Sequence, residues 1–371
     1  MVDLATQYHR LKPEIDKAIQ SAIDSSQFIK GPHVKVFEDN LAAYLGVKHV
    51  ISCANGTDAL QIALMALGLQ PGDEVITPSH TYVATVEVIA LLRLKPVFVE
   101  VNADTYTIDV AEIEKAISPK TKAIVPVHLY GQCADMETIL DIASKHKLFV
   151  VEDNAQAIGA EYTFSNGQKA KSGTMGNIGT TSFFPSKNLG CYGDGGALFT
   201  NDDALAKTIR MVANHGQSVT YVHDIVGVNS RLDTIQAAIL DVKLKQLNDF
   251  AARRNAVADF YDKAFAGQSK MKLPFRAPYT NHVFHQYTIR LSGVNRDEVK
   301  KKLLEKGIPS MIYYPIPVHL QNAYRSAEYK EGSFPLTESL SETIISIPIH
   351  TEFEQEQLRY IADNFISIVN S

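Results

Sequence analysis

From about Lys48 to Asn201 the chain alternates short β-branched runs with amphipathic helical stretches, and this alternation limits the possible folds more than any other feature. The runs are His49-Val50-Ile51-Ser52, Glu74-Val75-Ile76-Thr77, Pro96-Val97-Phe98-Val99, Ala123-Ile124-Val125-Pro126-Val127 and Leu148-Phe149-Val150-Val151, then Thr180 to Phe184 and Gly196 to Thr200. Helical patterns such as Ala59 to Leu69 and Met136 to His146 lie between several of them. Strands that are apolar on both faces belong inside a sheet covered on both sides, with helices as the crossovers. The prediction is an α/β fold with a mostly parallel central sheet. Ligands bind such sheets beyond the carboxyl ends of the strands.

After about Asp241 the pattern changes. A long helical stretch (Ala204 to Ala213, then Leu232 to Ala264) leads to a strand at Tyr287 to Leu291, a helix at Arg296 to Lys306 and a last helix at Glu354 to Val369. This predicts a large domain over residues 1–245, with its N-terminal segment, and a small α+β domain over 246–371. The polar stretch Thr163 to Met175 reads as an exposed loop or hairpin. No repeat is visible, which removes solenoid readings.

Composition narrows the function. A net charge of −5 speaks against a general nucleic-acid surface. The three cysteines, Cys53, Cys133 and Cys191, are widely spaced and form no CxxC, so neither a disulfide framework nor a metal site is expected, and a reducing cytoplasm fits. Apolar stretches such as Val86 to Leu92 are too short to span a bilayer, and no signal peptide is evident at the N-terminus.

Three segments carry chemistry. Asn55-Gly56-Thr57-Asp58 follows a strand and opens a helix; its amides suit a phosphate, although the same residues also serve as an ordinary helix cap. Val150-Val151-Glu152-Asp153-Asn154-Ala155-Gln156 puts carboxylates at the end of an apolar strand. An aspartate there can keep a pyridine nitrogen protonated, or can equally cap a helix or pair with a cation. Phe183-Phe184-Pro185-Ser186-Lys187-Asn188-Leu189-Gly190 sets a lysine just beyond a strand. A desolvated lysine there has the lowered pKa that Schiff-base chemistry needs, whereas a loop lysine keeps its amine in water. Taken in order on one sheet, the three describe a site for a phosphorylated aromatic cofactor.

On these motifs the chain resembles the DegT/StrS-type sugar aminotransferases, whose architecture is the fold-type I, aspartate-aminotransferase-like fold of pyridoxal 5'-phosphate (PLP) enzymes. The likeness runs from Val2-Asp3-Leu4 and Phe28-Ile29-Lys30-Gly31-Pro32 through Pro71-Gly72-Asp73-Glu74-Val75 to Tyr314-Pro315-Ile316-Pro317. It implies that Lys187 carries the Schiff base and moves the proton, and that Asp153 pairs with the pyridine nitrogen. Gln156 lies near the ring hydroxyl, Gly56, Thr57 and Ser182 hold the phosphate, and Tyr82 stacks on the ring. Asn229 reaches the phosphate of a neighbouring subunit, so the resemblance implies a homodimer with shared sites. Relatives that dehydrate sugars carry histidine in place of the lysine; Lys187 favours transamination over that lyase reaction.

The segment around Lys187 looks like the branch acting on 3-keto sugars, because the 4-keto branch usually has histidine where this chain has Asn188. Within it, Ser52 to Gln61, Leu129 to Asp135, Ser182 to Gly196 and Gly227 to Asp233 are similar to aminotransferases of UDP-2-acetamido-2-deoxy-3-keto-glucuronic acid. A uronate needs a cation, and Arg231 of the neighbouring subunit is the candidate, with a structural interface role as the alternative. Tyr313 departs from the histidine expected there in the uronate group. A dTDP-3-keto-6-deoxyhexose is the other substrate class. Tyr313, Tyr314, His319 and Tyr8 are the remaining candidates for the nucleotide sugar, with Phe28 to Pro32 near the nucleotide; His215 is a lesser one. L-Glutamate is the donor, and cell-surface polysaccharide such as O-antigen the usual destination, that the resemblance implies. A regulatory protein that keeps the fold without catalysis, and a dehydrogenase, are rivals; the latter lacks a G-x-G-x-x-G after the early strands.

Overall fold

A computed structural model describes residues 1–371. Its centre is a seven-stranded sheet in the order His49–Cys53, Gly196–Thr200, Ile178–Ser182, Phe149–Asp153, Thr121–Ile124, Glu74–Pro78, Lys95–Val99. Six strands run one way and Gly196–Thr200 alone runs against them. The α/β, mostly parallel architecture expected from the alternation is therefore present.

The strands show why they had to be buried on both faces. Successive residues point to opposite sides. Ile51, Val75, Val151 and Leu198 join one core, under the helices Gly56–Ala66, Ala84–Leu91 and Asp203–Val212. Their neighbours Ile76 and Val150 join a second core, beneath Val110–Ala116 and Met136–His146. Val50, Ala197 and Phe199 pack against Pro32–Leu45 and Thr234–Leu244. One-way strands place all their carboxyl ends at one edge, and the chain's polar turns collect there.

Residues from Val257 to Val369 build a separate core around the three-stranded sheet Met271–Lys272, Tyr287–Leu291, Ile344–Ile347. The helix Leu247–Ala264 joins the two parts: Leu247 and Phe250 pack with the large sheet's helices, Val257 and Tyr261 with the small core. The stretch read as one helix from Leu232 to Ala264 is two, Thr234–Leu244 and Leu247–Ala264. The polar segment is a hairpin of Glu161–Thr163 and Lys169–Lys171. Two helices outside the sequence reading, Leu4–Ser25 and Pro32–Leu45, precede the first strand, and Arg10 of the former pairs with Glu352 beside the small core at 2.8 Å. No helix is long and apolar enough to cross a membrane, and no cluster of three or more His, Cys, Asp or Glu is placed to hold a metal.

Candidate active site

A cleft of about 700 Å³ opens at the carboxyl edge of the large sheet and is closed on its far side by the small domain. Gly56, Thr57, Tyr82, Asp153, Gln156, Ser182, Lys187, Tyr313 and Tyr314 all line it.

One end is a cradle of backbone. Asn55 caps the helix Gly56–Ala66 by accepting from the Asp58 amide at 2.8 Å. The strand Ile178–Ser182 ends against this turn so closely that a Cβ on Gly56 would lie 2.6 Å from the Ser182 Cβ. The missing side chain at Gly56 is what lets the Ser182 hydroxyl and the first amides of the helix share one small space. Free N–H groups at a helix start and a hydroxyl beside them suit a phosphate.

At the other end Asp153, only 6 % exposed, finishes its strand. Its Oδ2 accepts from the Thr85 hydroxyl at 2.8 Å and its Oδ1 from the Ala155 amide at 3.2 Å. Two donors hold the carboxylate with acceptor capacity to spare for a protonated ring nitrogen. Gln156 accepts from the Tyr130 amide at 2.8 Å and donates to the Tyr314 hydroxyl at 3.0 Å, which ties the large sheet to the small-domain wall. Tyr82 is exposed at the mouth, its ring 5.9 Å from that of Tyr314.

Lys187 comes from the turn after Ile178–Ser182. Its amide donates to the Phe184 carbonyl at 2.8 Å, and Gly190 folds back so tightly that a Cβ there would sit 2.3 Å from the Pro185 oxygen. The fully buried Lys243 donates to the Gly190 carbonyl at 2.6 Å and braces the turn from below. The Lys187 amine makes no hydrogen bond or ion pair within the chain. Burial pushes it down to about 8, with the Asp153 charge opposing. A partly deprotonated amine opposite a carboxylate is the arrangement a carbonyl-bearing cofactor requires.

Other candidates lie elsewhere in the single chain. Arg231 lines a different cleft with Lys30, Lys35 and Arg210. Asn229 is exposed at the base of a hairpin, bridged to Asn214. The structure does not bring His319 to the cleft: it is fully buried, bonded to Glu338 at 3.1 Å and packed on Phe334. Nor does Tyr8 reach it; its hydroxyl donates to Asp16 at 2.7 Å and its ring meets Tyr192. His215 holds a left-handed turn with φ 61°. Sequence reasoning missed Thr85, which holds Asp153, and His285 and Gln286, which line the cleft from the small domain. Thr85 stands three residues after Tyr82, the residue that the resemblance singled out; His285 stands just before a strand and carried no signal.

A phosphate cradle, a buried aspartate and a desolvated lysine without a hydrogen-bond partner, all lining one cleft, define a PLP-dependent aminotransferase site. The sequence comparisons agree and go one step further. Residues 9–366 match the model of the DegT/DnrJ/EryC1/StrS aminotransferase family, and the chain belongs to that family. It is 47% identical to a pleiotropic regulatory protein of Geobacillus stearothermophilus, over 98% of this chain and 96% of that one. It is also 47% identical to the UDP-2-acetamido-2-deoxy-3-oxo-D-glucuronate aminotransferase of Pseudomonas aeruginosa, over 97% of each. The crystal structure of S. venezuelae DesV with a ketimine intermediate superposes with a TM-score of 0.95 at 42% identity, covering 100% of this chain and 98% of that one.

Proposed function

We propose that the protein transfers the amino group of L-glutamate to the C3 ketone of a nucleotide-linked 3-keto sugar, UDP-2-acetamido-2-deoxy-3-keto-glucuronate, in the making of a cell-surface polysaccharide such as O-antigen. The observation that carries the reaction is the unpartnered, desolvated Lys187 amine facing Asp153. The Pseudomonas relative supports the sugar.

When bound, PLP supplies the electron sink that makes a proton on the amine-bearing carbon removable. The residues around it do the rest. The Gly56 and Thr57 amides and the Ser182 hydroxyl would hold its phosphate, the Asp153 carboxylate would keep its ring nitrogen protonated, and Tyr82 at the mouth would cover it. The Lys187 amine would take the proton from the amine-bearing carbon of glutamate in the first half and deliver a proton to C3 of the sugar in the second. Tyr313 and Tyr314 wall the sugar from the small-domain side. Arg231 and Asn229, which do not line their own cleft, serve the cleft of a partner in a cytoplasmic homodimer, and Arg231 supplies the fork for the uronate.

The test is a substrate panel read as glutamate consumption, with the UDP-3-keto uronate against a dTDP-3-keto-6-deoxyhexose. Lys187→Ala is expected to abolish turnover, and full turnover by that variant would refute the reading. Faster reaction with the dTDP sugar would move the substrate, and deoxy-sugar product without glutamate consumption would make the enzyme a dehydratase.

A further inference from the structure

We propose that His285 receives the α-carboxylate of the amino donor. This rests on the transamination reading above and assigns a residue to its first half.

The donor's amine must replace Lys187, so its α-carboxylate, one carbon away, must lie close to that lysine. The cleft is poorly suited to an anion. Asp58, Glu87, Asp153 and Asp194 line it, and Lys187 and His285 are its only lining residues able to carry positive charge. Lys187 is committed to the chemistry. His285 is left, and it is free: it is 6 % exposed, and its Nδ1 has no hydrogen-bond partner in the chain. Its other nitrogen lies 3.4 Å from the Gln286 amide nitrogen. The amide donates there, which leaves the proton on Nδ1 without an acceptor. A buried donor without an acceptor is costly unless something supplies one.

The surroundings favour an anion. Arg254, 4 % exposed, donates through Nη1 to the carbonyls of Phe284 at 3.0 Å and Ile349 at 3.2 Å, and has no carboxylate partner. Burial first, then the Lys187 and Arg254 charges, hold the His285 ring neutral. An entering carboxylate meets the free Nδ1–H, with the buried Arg254 charge behind the ring, and itself favours the protonated ring.

The backbone around His285 is also over-determined. Phe284 adopts φ 46°, left-handed and unfavourable for a bulky side chain. Such conformations persist where neighbours enforce them. Gly131, at φ 114°, allows the close approach: a Cβ there would sit 2.8 Å from the Phe284 and His285 amide nitrogens. Asn188, the residue after Lys187, donates to the Val283 carbonyl at 2.9 Å. One bond thus links the lysine turn to the segment that carries the histidine.

The experiment separates the two half-reactions in the PLP-loaded enzyme, each followed by cofactor absorbance in a single turnover. For His285→Phe and His285→Gln, the L-glutamate concentration giving half-maximal rate should rise about tenfold or more, the loss expected for a charge-assisted hydrogen bond. The keto-sugar half-reaction, started from the aminated enzyme, should change less than about twofold on the same basis. Unchanged glutamate dependence in either folded variant, or equal loss in both halves, overturns the assignment. If the wild-type enzyme itself does not react with L-glutamate, the donor reading fails before His285 is tested.

Discussion

At the scale of single residues, Lys187 decides the pH dependence of the unloaded enzyme. Its amine is a nucleophile only when deprotonated, and burial brings it down to about 8 where a free lysine stays charged until well above 10. The reactive form therefore grows as pH rises through 8. The rate of PLP capture by the apoprotein should increase between pH 7 and 9 and level off above, as stopped-flow absorbance can follow; a rate still climbing tenfold per unit at pH 10 would place the amine in water. The same depression acts on stability, because the unfolded chain binds a proton between pH 8 and 10 that the folded one lacks, so this lysine's cost to folding is full below 8 and fades as pH rises. Asp153, Ser182 and Gly56 were legible as cleft residues because each closes a strand or opens a helix, and Lys187 because it stands in the turn just after one. His285 and Thr85 were not, since their importance is a contact between distant segments, Thr85 to Asp153 and His285 toward Lys187. His319 misled for a related reason: a histidine in a Pro-rich turn reads alike whether it faces a cleft or, as here, Glu338 and Phe334.

At the scale of elements, all seven strands of the large sheet were legible, their ends to within three residues, because burial on both faces selects runs rich in apolar and β-branched residues. The missed helix break between Leu244 and Leu247 has the opposite cause. Lys245 and Gln246 both keep right-handed helical backbone, so neither Gly nor Pro marks the spot. The pairing of the helix Gly56–Ala66 with the end of Ile178–Ser182 gives a sharp test of the phosphate cradle. In Gly56→Ala the added methyl would meet the Ser182 Cβ at 2.6 Å and push the two elements apart. Overpacking of this kind costs about 1–3 kcal/mol. The variant should unfold at lower denaturant and bind PLP about tenfold or more weakly, since a displacement of that size misplaces several phosphate donors together. PLP affinity equal to wild type, measured by absorbance titration, would show that the phosphate sits elsewhere.

At the scale of the whole molecule, what one chain leaves outside is as informative as what it buries. The hairpin Gln217–Val219 and Val222–His223 carries Tyr221 at 89 % exposure, Val226 just after it is 85 % exposed, and Phe28 and Ile29 are exposed near its base. The bridges Ile29 to Asp233 and Asn214 to Asn229 fix this apolar rim beside Asn229 and Arg231. Exposed apolar surface next to unspent polar groups fits an isologous contact, in which each subunit lends the same residues to the other. Complementation tests this directly. Lys187→Ala lacks its own lysine; Arg231→Ala lacks what it lends. Mixed by co-expression, half of the molecules are heterodimers, and each heterodimer holds one site with both defects and one with neither. About one quarter of all sites should then be intact, from two parents that are each nearly inactive. If Arg231 instead serves its own cleft, every site in the mixture carries one defect and activity stays at the parental level. Light scattering on the same samples must show a dimer, and Tyr221→Asp should shift it toward monomer while lowering turnover with it.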